Sequence, residues 1–150
     1  MRALSIRQPY AELILRGIKT VEYRSRPTRI VGERFYIYAS MRKLSVASGQ
    51  LPVKAWSEDL LVGHPPKWMI ELAEQVKMIE PGALLPTGVI VGSAKVASCL
   101  LLVSSTVPEL KEPVLATDNP IYAWHLTDVE RAKTFRKPKK HPQPIWFNPF

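Results

Sequence analysis

Residues 8–24, which read QPYAELILRGIKTVEYR, decide the fold. Pro9 suits the first turn of a helix, because the N–H that proline lacks has no partner there. Apolar residues then recur at helical spacing as far as Gly17, and glycine commonly follows a last helical turn. Beyond the glycine the side chains alternate in character, which predicts a strand with Glu22 and Arg24 on one face. The stretch therefore predicts a short helix, a sharp turn and a strand.

Three charged side chains of this stretch are spaced so that they can act together. Lys19 supplies a compact positive charge for a phosphate or a developing oxyanion, and Arg24 offers a planar fork for phosphate. Glu22 follows Lys19 by three positions, so it could hold the ammonium in place or serve as a general base. Spacing alone also allows an ion network with a purely structural role.

Periodicity elsewhere predicts four more strands and one more helix. The strands cover residues 3–6, 34–40, 89–103 and 121–126, and the helix begins at Pro66 and ends before Pro81. Gly92 is expected to mark a bulge or bend in its long strand. Regular helices do not separate the strands, which argues against a doubly wound parallel sheet. We therefore expect an α+β fold, a small mixed or antiparallel β-barrel with two or three peripheral helices.

Composition narrows the class of protein. The 150 residues are 46% apolar and 23% charged, as expected for one soluble globular domain over residues 1–150. Cys99 is the only cysteine, which excludes an internal disulfide and a zinc cluster. The sequence shows neither an apolar run long enough to span a membrane nor a secretion signal. We expect a cytoplasmic protein that uses no metal or cofactor.

The charge is strongly basic and unevenly distributed. The net charge is +8, with eleven Lys and Arg against three Glu in residues 1–54. Residues 55–128 carry four basic against nine acidic side chains, and residues 129–150 carry six against one. Such a chain attracts phosphates. We expect its two basic ends to meet on one face and the acidic middle to lie away from that face.

The C-terminal segment, residues 130–150, is basic and rich in proline. Six Lys and Arg without an acid in residues 131–140 suit contact with phosphates, although a solvated linker or a nuclear-type signal has a similar composition. The prolines prevent an amphipathic helix that would bind a membrane. Apolar residues 145–147 and Phe150 predict that this end packs back onto the domain.

The pattern Gly17-x-Lys19-x-x-Glu22-x-Arg24 resembles the GxKxxExR signature of ASCH domains, which are similar to the PUA fold. The resemblance continues outside the signature. Further matching segments are Gln8–Ala11, Tyr36–Ser40, Gly88–Gly92, Tyr122–Leu126 and Trp146. Only about 41–66 and 104–120 are left uncovered. The resemblance implies a PUA-like barrel that binds RNA, with the motif lining a cleft between the first helix and the barrel.

Taken together, these features predict an RNA-binding site. Lys19, Glu22 and Arg24 form its expected centre, with Tyr38 and Ser40 nearby. Other candidate binding residues are Gln8, His125, Lys137, Lys139 and Lys140. The expected partner is single-stranded or structured RNA, or a nucleotide, and the oligomeric state is open. Exposed rings beside a basic groove often stack on bases, and the candidate rings are Tyr23, Tyr36, Tyr38 and Trp124.

A hydrolase acting on RNA or a modified nucleoside is one alternative, with Lys19 and Glu22 as catalytic residues. Some ASCH proteins similar to acetylcytidine amidohydrolases pair the motif lysine with a threonine three positions later and a distant glutamate. Here Glu22 stands in place of that threonine, and neither Glu71 nor Glu74 aligns clearly with the distant glutamate.

Two further alternatives stay open. A ribonuclease would need a base, an acid and charge stabilisation, for which Lys19, Glu22, Ser40 and His125 are candidates. The remaining possibility is a domain that binds a small ligand or another protein, in which the basic ends serve only solubility. A narrow, apolar cleft closed to a nucleotide would favour that last possibility.

Overall fold

The computed structural model describes residues 1–41, 67–102 and 120–150. Its strands are β1 Ala3–Ile6, β2 Val21–Arg24, β3 Arg34–Ala39, β4 Val89–Leu102, β5 Ile121–Arg136 and β6 Trp146–Phe147. Its helices are α1 Tyr10–Leu15 and α2 Lys67–Val76. The expected mixture of sheet and helix is confirmed, and the predicted strands and helices lie close to their predicted positions except for the length of β5. Pro66, where the second helix was expected to begin, lies outside the described residues.

The six strands form one sheet in the order β2-β5-β4-β3-β1-β6. β1 and β3 run parallel, and the other neighbouring pairs are antiparallel. Within the described residues β2 and β6 are the edges and do not pair with each other, so the expected barrel is not confirmed. Closing a barrel requires the two edges to pair, and these strands have only four and two residues. The chain forms a mixed, open sheet.

β5 is much longer than the sequence predicts. Its pattern loses apolar alternation after Leu126, yet the strand continues to Arg136 because β4 offers a partner as far as Ile90, which lies opposite Arg136. Most side chains of this extension are exposed, so no apolar alternation marks it. The predicted irregularity at Gly92 is confirmed, because the register of β4 shifts between Ile90 and Gly92.

The main core lies between one face of the sheet and α1. Its fully buried residues include Leu4, Ile14, Phe35, Val91 and Trp124. The ring of Trp124 stacks on Trp146 with centroids 5.7 Å apart. A second, smaller cluster on the sheet contains Ala3, Tyr38, Ile90 and Phe147. The apolar stripe predicted for α2 is buried in its central part, at Leu72, Ala73 and Val76.

The end of the chain lies against β1. The Ser5 hydroxyl donates a hydrogen bond to the Gln143 carbonyl at 2.6 Å, and the Ser5 N–H donates to the Ile145 carbonyl at 3.1 Å. β6 then pairs with β1, with Trp146 opposite Leu4. The two ends of the chain, both of which are basic, therefore come together at β1.

Candidate functional site

The C-terminal turn of α1 determines where Lys19 lies. Gly17 adopts φ +74°, a left-handed conformation that glycine reaches without strain. The N–H groups of Gly17 and Ile18 donate to the carbonyls of Ile14 and Leu13 at 2.9 and 3.0 Å, which is a Schellman cap. The Lys19 N–H donates to the Leu13 carbonyl as well, at 3.1 Å. This capped turn fixes the backbone that delivers Lys19 to the start of β2.

Lys19, Glu22 and Arg24 form one ion network. The Lys19 Nζ donates to Glu22 Oε2 at 2.8 Å and also to the Val21 carbonyl. The Arg24 Nε donates to Glu22 Oε1 at 3.0 Å, and its Nη2 donates to the Ser5 carbonyl at 2.7 Å. Glu22 thus holds one cation at each carboxylate oxygen. Because Lys19 and Arg24 share this one carboxylate, the network carries a net positive charge.

Lys19 and Glu22 of this network are buried, so the charge of each affects the other strongly. The side chain of Lys19 is 3% exposed and that of Glu22 is 9% exposed. Burial alone would raise the pKa of Glu22, but the charges of Lys19 and Arg24 and their hydrogen bonds outweigh it and lower that pKa. Glu22 is therefore an ionised carboxylate at neutral pH and a weak base. This favours its role as an anchor for the two cations and argues against general-base chemistry.

A cleft of about 790 Å³ opens beside the network. It is bordered by the ends of β1 and β3, the start of α1, β2, α2 and residues 141–144. Five of the predicted site residues line it: Lys19, Glu22, Arg24, Tyr38 and Ser40. A pocket of several hundred cubic ångströms accommodates a nucleotide-sized ligand. The cleft is thus wide enough for a nucleotide, and its largely apolar wall carries the charged side chains Arg7, Lys19, Glu22 and Arg24.

Two rings form an aromatic wall of the cleft. Tyr23 and Trp68 both line it, with ring centroids 4.6 Å apart and planes tilted by 33°. The Lys19 ammonium lies 5.3 Å from the centroid of Tyr23. Burial and the negative charge of Glu71 raise the pKa of Tyr23, so its hydroxyl stays protonated. Trp68 could not be identified from the sequence, where it belongs to a helix with an ordinary apolar stripe.

The other candidate rings are placed differently. Trp124 is 1% exposed, and its Nε1 donates to the Arg26 carbonyl at 3.1 Å, so it belongs to the core. Tyr38 lines the cleft but is almost fully buried, and burial raises its pKa. Tyr36 is half-buried and does not line the cleft. Tyr23 and Trp68 therefore provide the accessible ring surface.

Arg7 and His141 bring additional positive or ionisable groups to the cleft. Both side chains are exposed and both line it. No carboxylate pairs with Arg7 among the residues that the structure describes. The pattern of the sequence did not single out either residue. Glu71, which belongs to the acidic middle segment, lies close enough to Tyr23 for its charge to raise the pKa of that residue.

Five predicted binding residues do not line the cleft. Gln8 caps the start of α1, since its Oε1 accepts from the Glu12 N–H at 3.0 Å and its Nε2 donates to the Pro86 carbonyl at 2.9 Å. The His125 Nδ1 lies 3.2 Å from the Ser98 hydroxyl, within hydrogen-bond distance, on the paired strands β4 and β5. The lysines at 137, 139 and 140 are exposed and immediately precede the cleft-lining His141.

A second ion cluster joins α1 to the extension of β5. The Arg131 guanidinium donates to both oxygens of buried Glu12, at 2.9 and 3.1 Å, and the Arg16 Nε donates to the same carboxylate at 3.0 Å. Hydrogen bonding from Arg131 is the main reason that the pKa of Glu12 is lowered. Arg131 therefore has a carboxylate partner, whereas the cations that follow it have none within the described residues.

The two lowered carboxyl pKa values predict a loss of stability in acid. Glu12 and Glu22 both have pKa values below their ordinary 4.5 in the folded protein. As the pH falls the unfolded chain therefore takes up protons first, so the stabilisation is fully present above pH 4.5 and is lost below it. Urea unfolding at about pH 7 and about pH 3.5 should show a lower midpoint in acid. Glu12→Gln should reduce this difference, and an unchanged difference would contradict the assignment.

Other kinds of site find no support in the described residues. Across residues 1–41, 67–102 and 120–150, no three His, Cys, Asp or Glu side chains are grouped so that they could hold a metal ion. In the same ranges no helix is long and apolar enough to cross a membrane.

Comparison with known proteins identifies the family. None of the curated proteins matches the chain. The crystal structure of a mutant ASCH protein from Zymomonas mobilis resembles it with a TM-score of 0.52 at 14% identity, over 97% of this chain and 85% of that one. A crystal structure of ASCH from the same organism gives 0.45 at 15% identity, over 87% and 68%. The first likeness supports the fold alone. The family model for the ASCH domain matches residues 4–139, and the chain therefore belongs to the ASCH domain family.

Proposed function

We propose that the chain is an RNA-binding domain and that the cleft beside Lys19, Glu22 and Arg24 receives a nucleotide of single-stranded RNA. One observation carries the proposal: the same cleft combines cations with two half-buried aromatic rings, Tyr23 and Trp68. Phosphates are held by cations, and bases stack on rings, so a cleft with both suits a nucleotide. Family membership supports the same partner, because ASCH domains are generally similar to RNA-binding PUA folds.

The residues of the cleft divide between these two tasks. Lys19 and Arg24 are oriented by Glu22 and each still carries N–H groups beyond those in its hydrogen bonds, which can face a phosphate. Arg7 adds a charge that no described carboxylate neutralises. Tyr23 and Trp68 offer the surface for a base. The size and charge of the cleft argue against the alternative of an apolar pocket for a small ligand.

The cleft binding mode predicts salt-dependent affinity and a specific effect of Arg7→Ala. Anisotropy of a labelled RNA oligonucleotide should show affinity that falls steeply as salt rises. Arg7→Ala should weaken binding by about threefold to tenfold and flatten the salt dependence, because one phosphate contact is lost. Arg7 is the sharpest choice, since substituting Lys19 or Arg24 would also disturb a buried ion network.

Arg29→Ala is the matched control. Arg29 is exposed, lies outside the cleft and loses the same charge when substituted. The affinity of the Arg29→Ala variant for RNA should stay close to that of the unsubstituted protein. Equal effects of both substitutions would indicate general electrostatic attraction and would contradict a defined cleft. Chromatography of the RNA after the binding assay tests the hydrolase alternative, which requires shortened or chemically altered products.

A further inference from the structure

Several cations after Arg131 differ from those that form ion pairs on the domain. Arg16, Lys19, Arg24, Arg34 and Lys95 each have a carboxylate partner. No such partner is present in the described part of the chain for Arg136, Lys137, Lys139 or Lys140. All four are exposed. An anion from outside the domain would therefore bind them without displacing a described carboxylate.

Arg136 lies on an exposed ring. Its guanidinium carbon is 3.8 Å from the ring centroid of Phe150, which is 37% exposed. The Phe150 and Tyr36 rings pack edge to face with centroids 5.9 Å apart. The Lys139 N–H donates to the Pro149 carbonyl at 2.7 Å, which holds the backbone next to Phe150. Arg136 and Phe150 thus form a supported stack, which we term the Arg136–Phe150 stack.

Strand β3 and the chain after Arg136 both link this stack with the cleft. Tyr36, which supports Phe150, and Tyr38, which lines the cleft, are two residues apart on one face of β3. Their separation along the strand is about 7 Å, comparable to the spacing of successive nucleotides in an extended strand. The chain also connects the two places directly, because Lys139 and Lys140 precede the cleft-lining His141.

We propose that the Arg136–Phe150 stack, with Lys139 and Lys140, is a second contact surface for the same single-stranded RNA. This inference rests on the proposed function of the cleft. A base stacks on the guanidinium or the ring, as bases do on arginine planes and aromatic side chains in RNA complexes. The lysines hold the adjoining phosphates. The RNA then spans both surfaces, so affinity depends on the length of the strand.

Two RNA probes of different length separate the two surfaces. An oligouridine of about four nucleotides can occupy the cleft, and one of about twelve nucleotides can reach both surfaces. Arg136→Ala and Phe150→Ala should each lower the affinity for the longer probe by about fivefold to tenfold, and leave the affinity for the shorter probe almost unchanged. Arg136→Lys keeps the charge but loses the planar stack, so it should lose most of that affinity as well.

Lys133→Ala is the matched control, because it removes one exposed charge from β5 and should change neither affinity much. Thermal melting of each variant checks that the fold is retained. The second surface would be overturned if Arg136→Ala and Phe150→Ala bound the longer probe as tightly as the unsubstituted protein does. In that case, weaker RNA binding by Arg7→Ala would still support the cleft. If the unsubstituted protein binds neither probe, the proposed function fails. If the stack instead binds an acidic protein partner, Arg136→Ala and Phe150→Ala would bind the longer probe as tightly as the unsubstituted protein does.

Discussion

Replacing Glu22 with glutamine is expected to destabilise the fold by about 3–5 kcal/mol, because it leaves a buried ammonium without its counter-charge. Lys19 is only 3% exposed, so water replaces the lost carboxylate poorly. Arg24 also loses its anion, but it is more exposed and reaches solvent more readily. For a domain of 150 residues, the expected fall in Tm is about 6–20 °C. Thermal melting at neutral pH measures it.

Two further variants separate charge from shape. Glu74→Gln removes the carboxylate of an exposed pair with Lys77 and should cost about 0.5 kcal/mol or less. Lys19→Met combined with Glu22→Gln removes the buried charge and should recover most of the lost stability. A Glu22→Gln protein as stable as the unsubstituted one would contradict the role of Glu22 as the anchor of Lys19.

The double variant also distinguishes folding from binding. If Lys19 served the fold alone, a stable Lys19→Met/Glu22→Gln protein would still bind RNA with full affinity. The proposed function requires weaker binding, because the oriented cation at the cleft is gone. Stability and affinity are therefore expected to respond differently in this variant, although both respond to the single substitution.

Local features of the site could be predicted from the sequence because short-range geometry fixes them. Gly17 ends the helix by adopting a left-handed turn, and Glu22 meets Lys19 three positions away and Arg24 two positions away. Alternation along a strand places Glu22 and Arg24 on one face. The composition of the cleft centre follows from such rules. Its other walls do not.

Contacts between distant parts of the chain could not be predicted in this way. Glu12 and Arg131 are 119 positions apart, and nothing in the local pattern of either indicates the pairing. The length of β5 depends on its partner β4, so residues with no apolar alternation still form a strand. Trp68 reaches the cleft only because α2 brings it against Tyr23 of β2. The single open sheet likewise depends on how strands pair.

Gly92→Ala is expected to destabilise the protein by about 3 kcal/mol, since the position has no room for a side chain. A Cβ there would lie 2.4 Å from the Glu130 carbonyl oxygen and 2.5 Å from Leu15 Cδ2. The first of these atoms belongs to the backbone of β5, which cannot yield without disturbing the paired strands. The second belongs to the last residue of α1. The absence of a side chain at Gly92 thus allows α1 to pack closely on the sheet.

Displacement of α1 should reach the cleft, because the turn after this helix carries Lys19. RNA affinity of Gly92→Ala, measured at a temperature where the variant is folded, should therefore fall as well. Gly32→Ala is the matched control: its φ of +86° makes alanine strained by about 1–2 kcal/mol, yet no atom lies within 4 Å of the added Cβ. Gly32→Ala should lose some stability and keep its affinity. Equal loss of affinity in both variants would contradict the argument that packing of α1 against Gly92 positions Lys19.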